Sequence, residues 1–320
     1  MRLLIVIVNY RTAQLTIDCL RSLAPEMAAL PPGTRVAVTD NASGDDSVPR
    51  LAAAVRDNGW SEWAEIMPLP RNGGFAWGNN EAIRPALASK DPPDYVLLLN
   101  PDTLVRHGGV NLLLEFMDAR PDVGIAGSRL EDPDGTQQRS AFRFPGVMSE
   151  LETAVRLSAV SKLLNRFVVA PPPPAEACRV DWVAGASMMI RRGVFDRVGL
   201  LDEQYFMYYE EVDFCRRANR AGWPCWYVPA SRVVHLVGQA SGVTDEKKPK
   251  KRRPAYWFES RRRYFLLHYG RVGTFLADSF WVMGHALYKA TELARKKPAN
   301  DPEGLLGDFV RHNFLGARRA

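Results

Sequence analysis

The sequence predicts an α/β fold, a doubly wound and mostly parallel sheet followed by a C-terminal helical extension. Two patterns in the first third of the chain carry that expectation. Short, wholly apolar runs alternate with stretches of helical periodicity, which is the rhythm of buried parallel strands joined by helices. Several of those runs end in Asn or Asp, at the carboxyl ends where open α/β sheets bind their ligands. A third observation permits the fold: 320 residues, 46% apolar and 24% charged, suffice for a large core and exclude disordered or collagen-like classes.

Residues 3–8 are all apolar and predict a central strand covered on both faces. The run is short, β-branched and ends in Asn-Tyr-Arg, so it reads as a strand and not as a signal peptide. Residues 15–23 have helical spacing, and 36–39 form a second strand ending at Asp40 and Asn41. A helix over 51–58, a strand over 64–68 and a helix over 77–87 follow. The next buried strand, 95–99, ends at Asn100-Pro101-Asp102; a helix over 112–119 and a strand over 123–126 complete this half.

The pattern then changes. A helical apolar stripe over 150–167 and four prolines at 171–174 predict an insertion, packed on the body or lying on a membrane, with a stiff connector after it. Residues 182–190 predict a strand. The segment Phe206 to Phe214 runs into a helix that stops at Gly222, and 225–228 is a further strand ahead of Val233-Val234-His235. These signals divide the chain into a domain over 1–242 (a first half 1–130, an insertion 139–178, a second half 179–242), a mobile basic loop 243–256 and a helical extension 257–320.

The net charge of +6 is concentrated late, in Lys247, Lys248, Lys250, Lys251, Arg252 and Arg253. With no nucleic-acid module around it, that run argues against nucleic-acid binding. It reads as either a solvated linker or a lid that closes when phosphates neutralise it. Arg261, Arg262 and Arg263 precede a stretch rich in aromatic and aliphatic residues. That stretch suits a helix in the headgroup region of an anionic membrane, packing under the domain, or a homodimer contact. Four cysteines (Cys19, Cys178, Cys215, Cys225) without a CxxC pair point to a reducing, cytoplasmic setting, peripheral on the inner face of the plasma membrane if the membrane reading holds.

Chemistry concentrates in a few places. Glu210, Glu211 and Asp213 crowd one helix start, where the dipole favours each carboxylate by roughly 0.3–1 kcal/mol. Asp213 has Arg216 and Arg217 one turn on and reads as a salt-bridged structural acid. Glu211 has no local cation, lies beside Tyr208 and Tyr209, and is the candidate general base. Asp102 and His235, with oxygens from a diphosphate, would complete a Mn²⁺ or Mg²⁺ shell. The turn Arg71-Asn72-Gly73-Gly74-Phe75 before a helix offers close backbone approach to a ligand.

In order along the chain, IVIVNYR, TDNASGDDS, RNGGFAWGNN, LLLNPDT, GASMMIRRGVFDRVGLLDEQYFMYYEEVDFCRRANRAGW and HLVGQAS resemble the inverting family 2 glycosyltransferases, closest to rhamnosyltransferase-like members. The resemblance spans about residues 3–242. It implies a GT-A-type fold, a nucleoside-diphosphate sugar donor and a divalent metal on the diphosphate. It puts Asn9 and Tyr10 at the base, Asp40 and Asn41 at base or ribose, and Gly73, Gly74 and Phe75 beside the nucleotide. Asn79 or Asn80 would face the diphosphate or sugar. Asn100-Pro101-Asp102 stands at the family's DxD motif, with Asn in place of the first acid, so Asp102 takes the metal together with His235. Glu210-Glu211 matches an acidic pair whose second member is the base, here longer by one methylene than an Asp. Trp182, Glu210 and Asp213 are expected around it as acceptor-contacting or supporting residues. A dTDP-rhamnose donor and a glycan or lipid-linked acceptor are the corresponding partners. A non-catalytic nucleotide-sugar binder stays open beside this reading. A nucleotidyltransferase would want a Gly-rich basic loop after the first strand, and NYRTAQ is not one.

Overall fold

The structure is a computed structural model that describes residues 2–236, 252–294 and 301–315. In chain order the elements are β1 (Leu3–Asn9), α1 (Ala13–Leu23), β2 (Arg35–Asp40), α2 (Ser47–Asp57), β3 (Ala64–Pro68), α3 (Gly74–Leu87), β4 (Tyr95–Leu99), β5 (Thr103–Val105) and α4 (Gly109–Asp118). Then come β6 (Ile125–Glu131), β7 (Ala141–Phe142), α5 (Val147–Val155), α6 (Ser158–Leu163), β8 (Cys178–Val180), β9 (Trp182–Val183), β10 (Ser187–Arg191) and α7 (Arg192–Val198). The chain continues with α8 (Glu210–Arg220), β11 (Cys225–His235), α9 (Ala255–Ala294) and α10 (Leu305–Asn313).

The main sheet runs β3-β2-β1-β4-β10-β6-β11-β5, with β8 added on β11. Strands β3, β2, β1 and β4 are mutually parallel. Strand β10 runs antiparallel between β4 and β6, and β11 is parallel to β6 but antiparallel to β5. The chain leaves β1 toward β2 and β3, then returns to β4 on the other side of β1. That reversal opens a crevice past the carboxyl ends of β1 and β4.

Both faces of the sheet are covered, which is why β1 reads as an unbroken apolar run. Leu3, Ile5 and Ile7 pack with Ile17, Leu20, Leu51 and Leu113 of α1, α2 and α4. Leu4 and Val6 point the other way, into a cluster with Ile83, Val194 and Phe214 of α3, α7 and α8. Successive side chains of a strand alternate faces, so one strand feeds two cores.

The tertiary structure alters several expected elements. Residues 182–190 are not one strand. Strand β9 pairs with β7 in a separate two-stranded sheet, the chain turns at 184–186, and only then does β10 enter the main sheet. The stripe over 150–167 is broken at Arg156, which adopts a left-handed φ of 47°, so α5 and α6 are distinct helices. Helix α5 packs on α9. Strand β11 is continuous from Cys225 to His235, with a register shift between Val228 and Arg232 that accommodates Pro229.

The arginines read as suiting a membrane surface, packing or a homodimer contact are used inside the protein. Arg261 is 1% exposed and lies between Glu150 (2.8 Å) and Asp278 (2.6 Å). Arg262 donates to the Asn313 carbonyl at 2.8 Å, and Arg263 to Asp202 at 2.8 Å. Three buried or half-buried guanidiniums need partners, and the fold supplies them. Residues 237–251, which carry Gly238, Ser241, Gly242 and most of the basic run, lie outside the described residues. Of the expected basic loop, Arg252 is held by Asp308 through two hydrogen bonds of 2.7 and 2.6 Å.

Candidate active site

A cavity of about 450 Å³ opens past the carboxyl ends of β1 and β4. Tyr10, Asn41, Gly74, Phe75, Asn100, Asp102, Glu210, Glu211 and His235 all contribute to its wall. Six separate stretches of sequence therefore converge where the strand order reverses.

Beneath the wall, Asn9 and Asp40 form a floor instead of reaching into the cavity. Asn9 donates to Asp40 Oδ1 at 2.7 Å and accepts from the Thr12 and Thr16 hydroxyls at 3.0 and 2.9 Å. Ser43 gives Asp40 both its hydroxyl (2.6 Å) and its N–H (3.0 Å). This network engages the side chains of Asn9 and Asp40, and of the four residues expected at base or ribose Tyr10 and Asn41 line the cavity. Tyr10 is 39% exposed at the rim, and the Arg11 guanidinium stacks on its ring at 5.2 Å. Arg11 and Ala42 both take positive φ, at 58° and 52°. Such outliers collect at functional turns.

On the opposite side, Asn41 donates to the Gly74 carbonyl at 3.0 Å, and the Phe75 N–H donates to the Phe206 carbonyl at 2.9 Å. Gly74 has φ +87°, and a Cβ there would sit 1.9 Å from the Phe206 oxygen. Only glycine lets α3 begin so close to the chain that leads into α8. Gly73 lies beneath the Trp77 ring, outside the wall itself.

Three expected residues are directed elsewhere. The Asn80 amide donates to the Leu201 carbonyl (2.8 Å) and Glu203 (2.9 Å), tying α3 to the loop after α7. Asn79 donates to the Phe75 carbonyl within its own helix at 2.9 Å. Neither lines the cavity. Trp182 stacks on Phe142 at 4.1 Å and donates to the Arg143 carbonyl, so its ring is also away from the wall.

The acidic cluster separates as helix geometry requires. Tyr208 and Tyr209 take left-handed φ of 71° and 69° immediately before α8, a strain of about 1–3 kcal/mol per residue. That turn aims Glu210 and Glu211 into the cavity, and in each carboxylate Oε2 is buried without a hydrogen bond. Burial pushes the Glu211 carboxyl up to about 7, against the pull of its own N–H and that of Val212. Burial, reinforced by the Glu211 charge, holds Glu210 well above the usual carboxylate range. Asp213 faces away. Burial also pushes it up, but the hydrogen bond from His268 (2.8 Å) and the charge of Arg217 (2.7 Å) outweigh that and keep it low. Arg216, expected on Asp213, turns instead to the Tyr264 and Tyr269 hydroxyls. Asp213 thus supports α8 and does not enter the cavity.

Pairing of β5 with β11 puts His235 opposite Thr103, next to Asp102. The His235 Nε2 and an Asp102 oxygen are 3.5 Å apart, both largely buried. An imidazole nitrogen beside a hard carboxylate oxygen fits a Mn²⁺ or Mg²⁺ ion. Among the described residues no group of three such ligands gathers.

The cavity also holds residues that sequence reasoning passed over. Arg253 lines it, with its Nε buried and unpartnered and its guanidinium 4.7 Å from the Trp257 ring. Burial pushes the Arg253 pKa down. Its only sequence signal was membership of a basic run. Met207, Tyr208 and residues 184–186 also line it; the small residues at 184–186 had been absorbed into an expected strand.

The chain matches the family model described as Glycosyltransferase like family 2 over residues 2–265. It is 29% identical to the N-acetylglucosaminyl-diphospho-decaprenol L-rhamnosyltransferase of Mycobacterium tuberculosis over 223 residues, 65% of this chain and 68% of that protein. It is 30% identical to the rhamnosyltransferase WbbL of Escherichia coli over 170 residues, 51% of this chain and 61% of that one. Among solved structures, GalNAc-T7 with UDP, GalNAc and Mn²⁺ superimposes with a TM-score of 0.57 at 15% identity, covering 98% of this chain and 54% of that one. The sheet order, the crevice at its reversal and a family match across most of the chain lead to one assignment: this protein belongs to glycosyltransferase family 2 and has the GT-A fold.

Proposed function

We propose that the protein transfers a sugar from a nucleoside-diphosphate donor to a hydroxyl acceptor with inversion, Glu211 acting as the base. The observation that carries this reading is the Glu211 carboxylate, raised to about 7 and unpartnered at one oxygen on the wall of a cavity at the sheet's switch point. A base that titrates near neutrality combines availability with driving force. In the proposed step the acceptor oxygen bonds to the anomeric carbon as its proton passes to Glu211, and the bond from that carbon to the diphosphate oxygen breaks. Burial and the Glu211 charge hold the Glu210 carboxyl well above the usual range, which disfavours a second negative charge beside the base.

Asp102 and His235 would hold a divalent ion, which when bound stabilises charge on the departing diphosphate. The Mn²⁺ in the GalNAc-T7 structure supports a metal of this kind. Arg253 supplies a fixed positive charge on the same wall, and a diphosphate would give its buried Nε a hydrogen-bond acceptor. Tyr10 and Asn41 receive the nucleoside. The relatives named as rhamnosyltransferases favour a dTDP-rhamnose donor, and the decaprenol in one name favours a lipid-linked acceptor at a membrane surface. The division at residues 242 and 257 belongs to the same proposal.

A thermal-shift panel of nucleoside diphosphates and nucleotide sugars, with and without Mn²⁺ or Mg²⁺, tests the donor. A ligand at a hundred times its Kd adds about 2.7 kcal/mol of stability. If no nucleotide sugar raises the melting temperature and none is turned over, the proposal is wrong.

A further inference from the structure

The second part of α9, beyond the kink at Gly270, is apolar on two sides. Its inner side packs Ala277 and Trp281 against the body. Its outer side carries Val272, Phe275, Leu276, Met283, Leu287 and Leu293, each between 43% and 80% exposed. Ser279, Ala286 and Ala290 fall between them, and the spacing keeps the row on one side of the helix. No acidic residue interrupts the row: Asp278 is buried on Arg261, and Glu292 is buried and bonded to Lys289. Phe314 stacks edge-on with Phe275 at 5.9 Å, and exposed Leu315 follows it. A helix apolar all round is normally covered on every side.

We propose that this outer face of α9 is where the protein docks on an anionic lipid surface. Two features favour lipid over a second copy of the chain. From 272 to 293 the face is about 32 Å long at 1.5 Å per residue and on the order of 10 Å wide. That is well below the roughly 800 Å² per partner of a stable dimer. Beside the row, Phe280 and Val282 are apolar where a helix pair would use charges to set its register. An exposed cation, Arg271, precedes the row. Apolar side chains beside a cation match the boundary between acyl chains and anionic headgroups. Among the described residues no helix is long and apolar enough to cross a membrane, so the face would lie on the surface. The inference goes beyond the reading of the catalytic cavity. Since α9 begins two residues after Arg253 on the cavity wall, docking here would hold the cavity at a fixed place relative to the bilayer.

The test is flotation of the whole protein with vesicles of phosphatidylcholine containing 30 mol% phosphatidylglycerol (about one lipid in three, so that charge attraction is measurable) and with pure phosphatidylcholine. Neither donor nor acceptor is present, so the outcome is independent of the proposed reaction. The expected result is binding to the anionic vesicles at low salt, weakened by salt, and at least about tenfold weaker for Phe275→Asp with Leu287→Asp. If that pair fails to fold, Phe275→Ser with Leu287→Ser replaces it, with the same direction expected. Absence of wild-type flotation, or equal flotation of a folded variant pair, overturns the proposal. So does a wild-type dimer in sedimentation that either pair converts to monomer, because a second copy then covers the face.

Discussion

Replacing Glu211 with Gln separates the cost of the carboxylate to the fold from its use in the reaction. The side chain keeps its shape and loses its charge. Burial raises the carboxyl from 4.5 to about 7, and at 1.36 kcal/mol per pH unit that is worth about 3 kcal/mol as an upper bound. The sign follows from linkage. Below pH 4.5 the group is neutral in both folded and unfolded chains and costs nothing. Between 4.5 and 7 the unfolded chain releases a proton that the folded protein retains, so stability falls as pH rises. Above 7 the folded protein carries the buried charge and the loss is complete. Glu211→Gln should therefore match the wild type at pH 4.5 and exceed it by up to about 3 kcal/mol at pH 8, with added relief of Glu210, which the Glu211 charge also pushes up. Urea unfolding at the two pH values measures the difference. Turnover moves the opposite way: kcat of the wild type should climb through pH 7, and the variant should lose at least about a hundredfold. A stability difference that does not change between pH 4.5 and 8, or turnover retained in the variant, would falsify the assignment.

Three further outcomes follow from the geometry. Arg261→Ala leaves Glu150 and Asp278 buried without their shared cation, and urea unfolding should show a loss of about 3–5 kcal/mol; a loss under 1 kcal/mol would mean that these acids find other partners. Gly74→Ala places a methyl 1.9 Å from the Phe206 carbonyl at a φ of +87°. It should cost at least about 1–3 kcal/mol and depress turnover, whereas wild-type behaviour in both would show that the turn before α8 can move freely. Asp102→Ala and His235→Ala should each weaken nucleoside-diphosphate binding in the presence of Mn²⁺ by about tenfold or more, read by calorimetry, and added metal should no longer help. Equal affinity with and without chelator in the wild type would remove the metal from the site.

The sequence by itself determined the alternation of strands and helices and the crevice at their carboxyl ends, and it singled out the acid proposed as the base. These are local properties. An all-apolar run such as Leu3–Asn9 without its last residue needs two covered faces wherever it sits, and a polar residue at its end marks the direction of the strand. The helical phase that separates Glu211 from Asp213 is likewise fixed by a rise and a rotation per residue. What tertiary structure decided is which polar groups would be consumed as scaffold. Asn9, Asp40 and Asn80 look like ligand-facing residues in the sequence, yet their amides and carboxylate are committed to Thr16, Ser43, Leu201 and Glu203. Arg253 was the reverse case, a charge in a basic run that the fold buried in the cavity wall. Arg261, Arg262 and Arg263 looked like a surface cluster, but their carboxylate and carbonyl partners come from Glu150, Asp202, Asp278 and Asn313, remote in sequence for all but one. A charge's partner is set by which elements meet in space, and local pattern does not encode that meeting. The same limit left α9 undecided between membrane, packing and dimer, because periodicity shows that a helix has two apolar sides without showing which one the body covers.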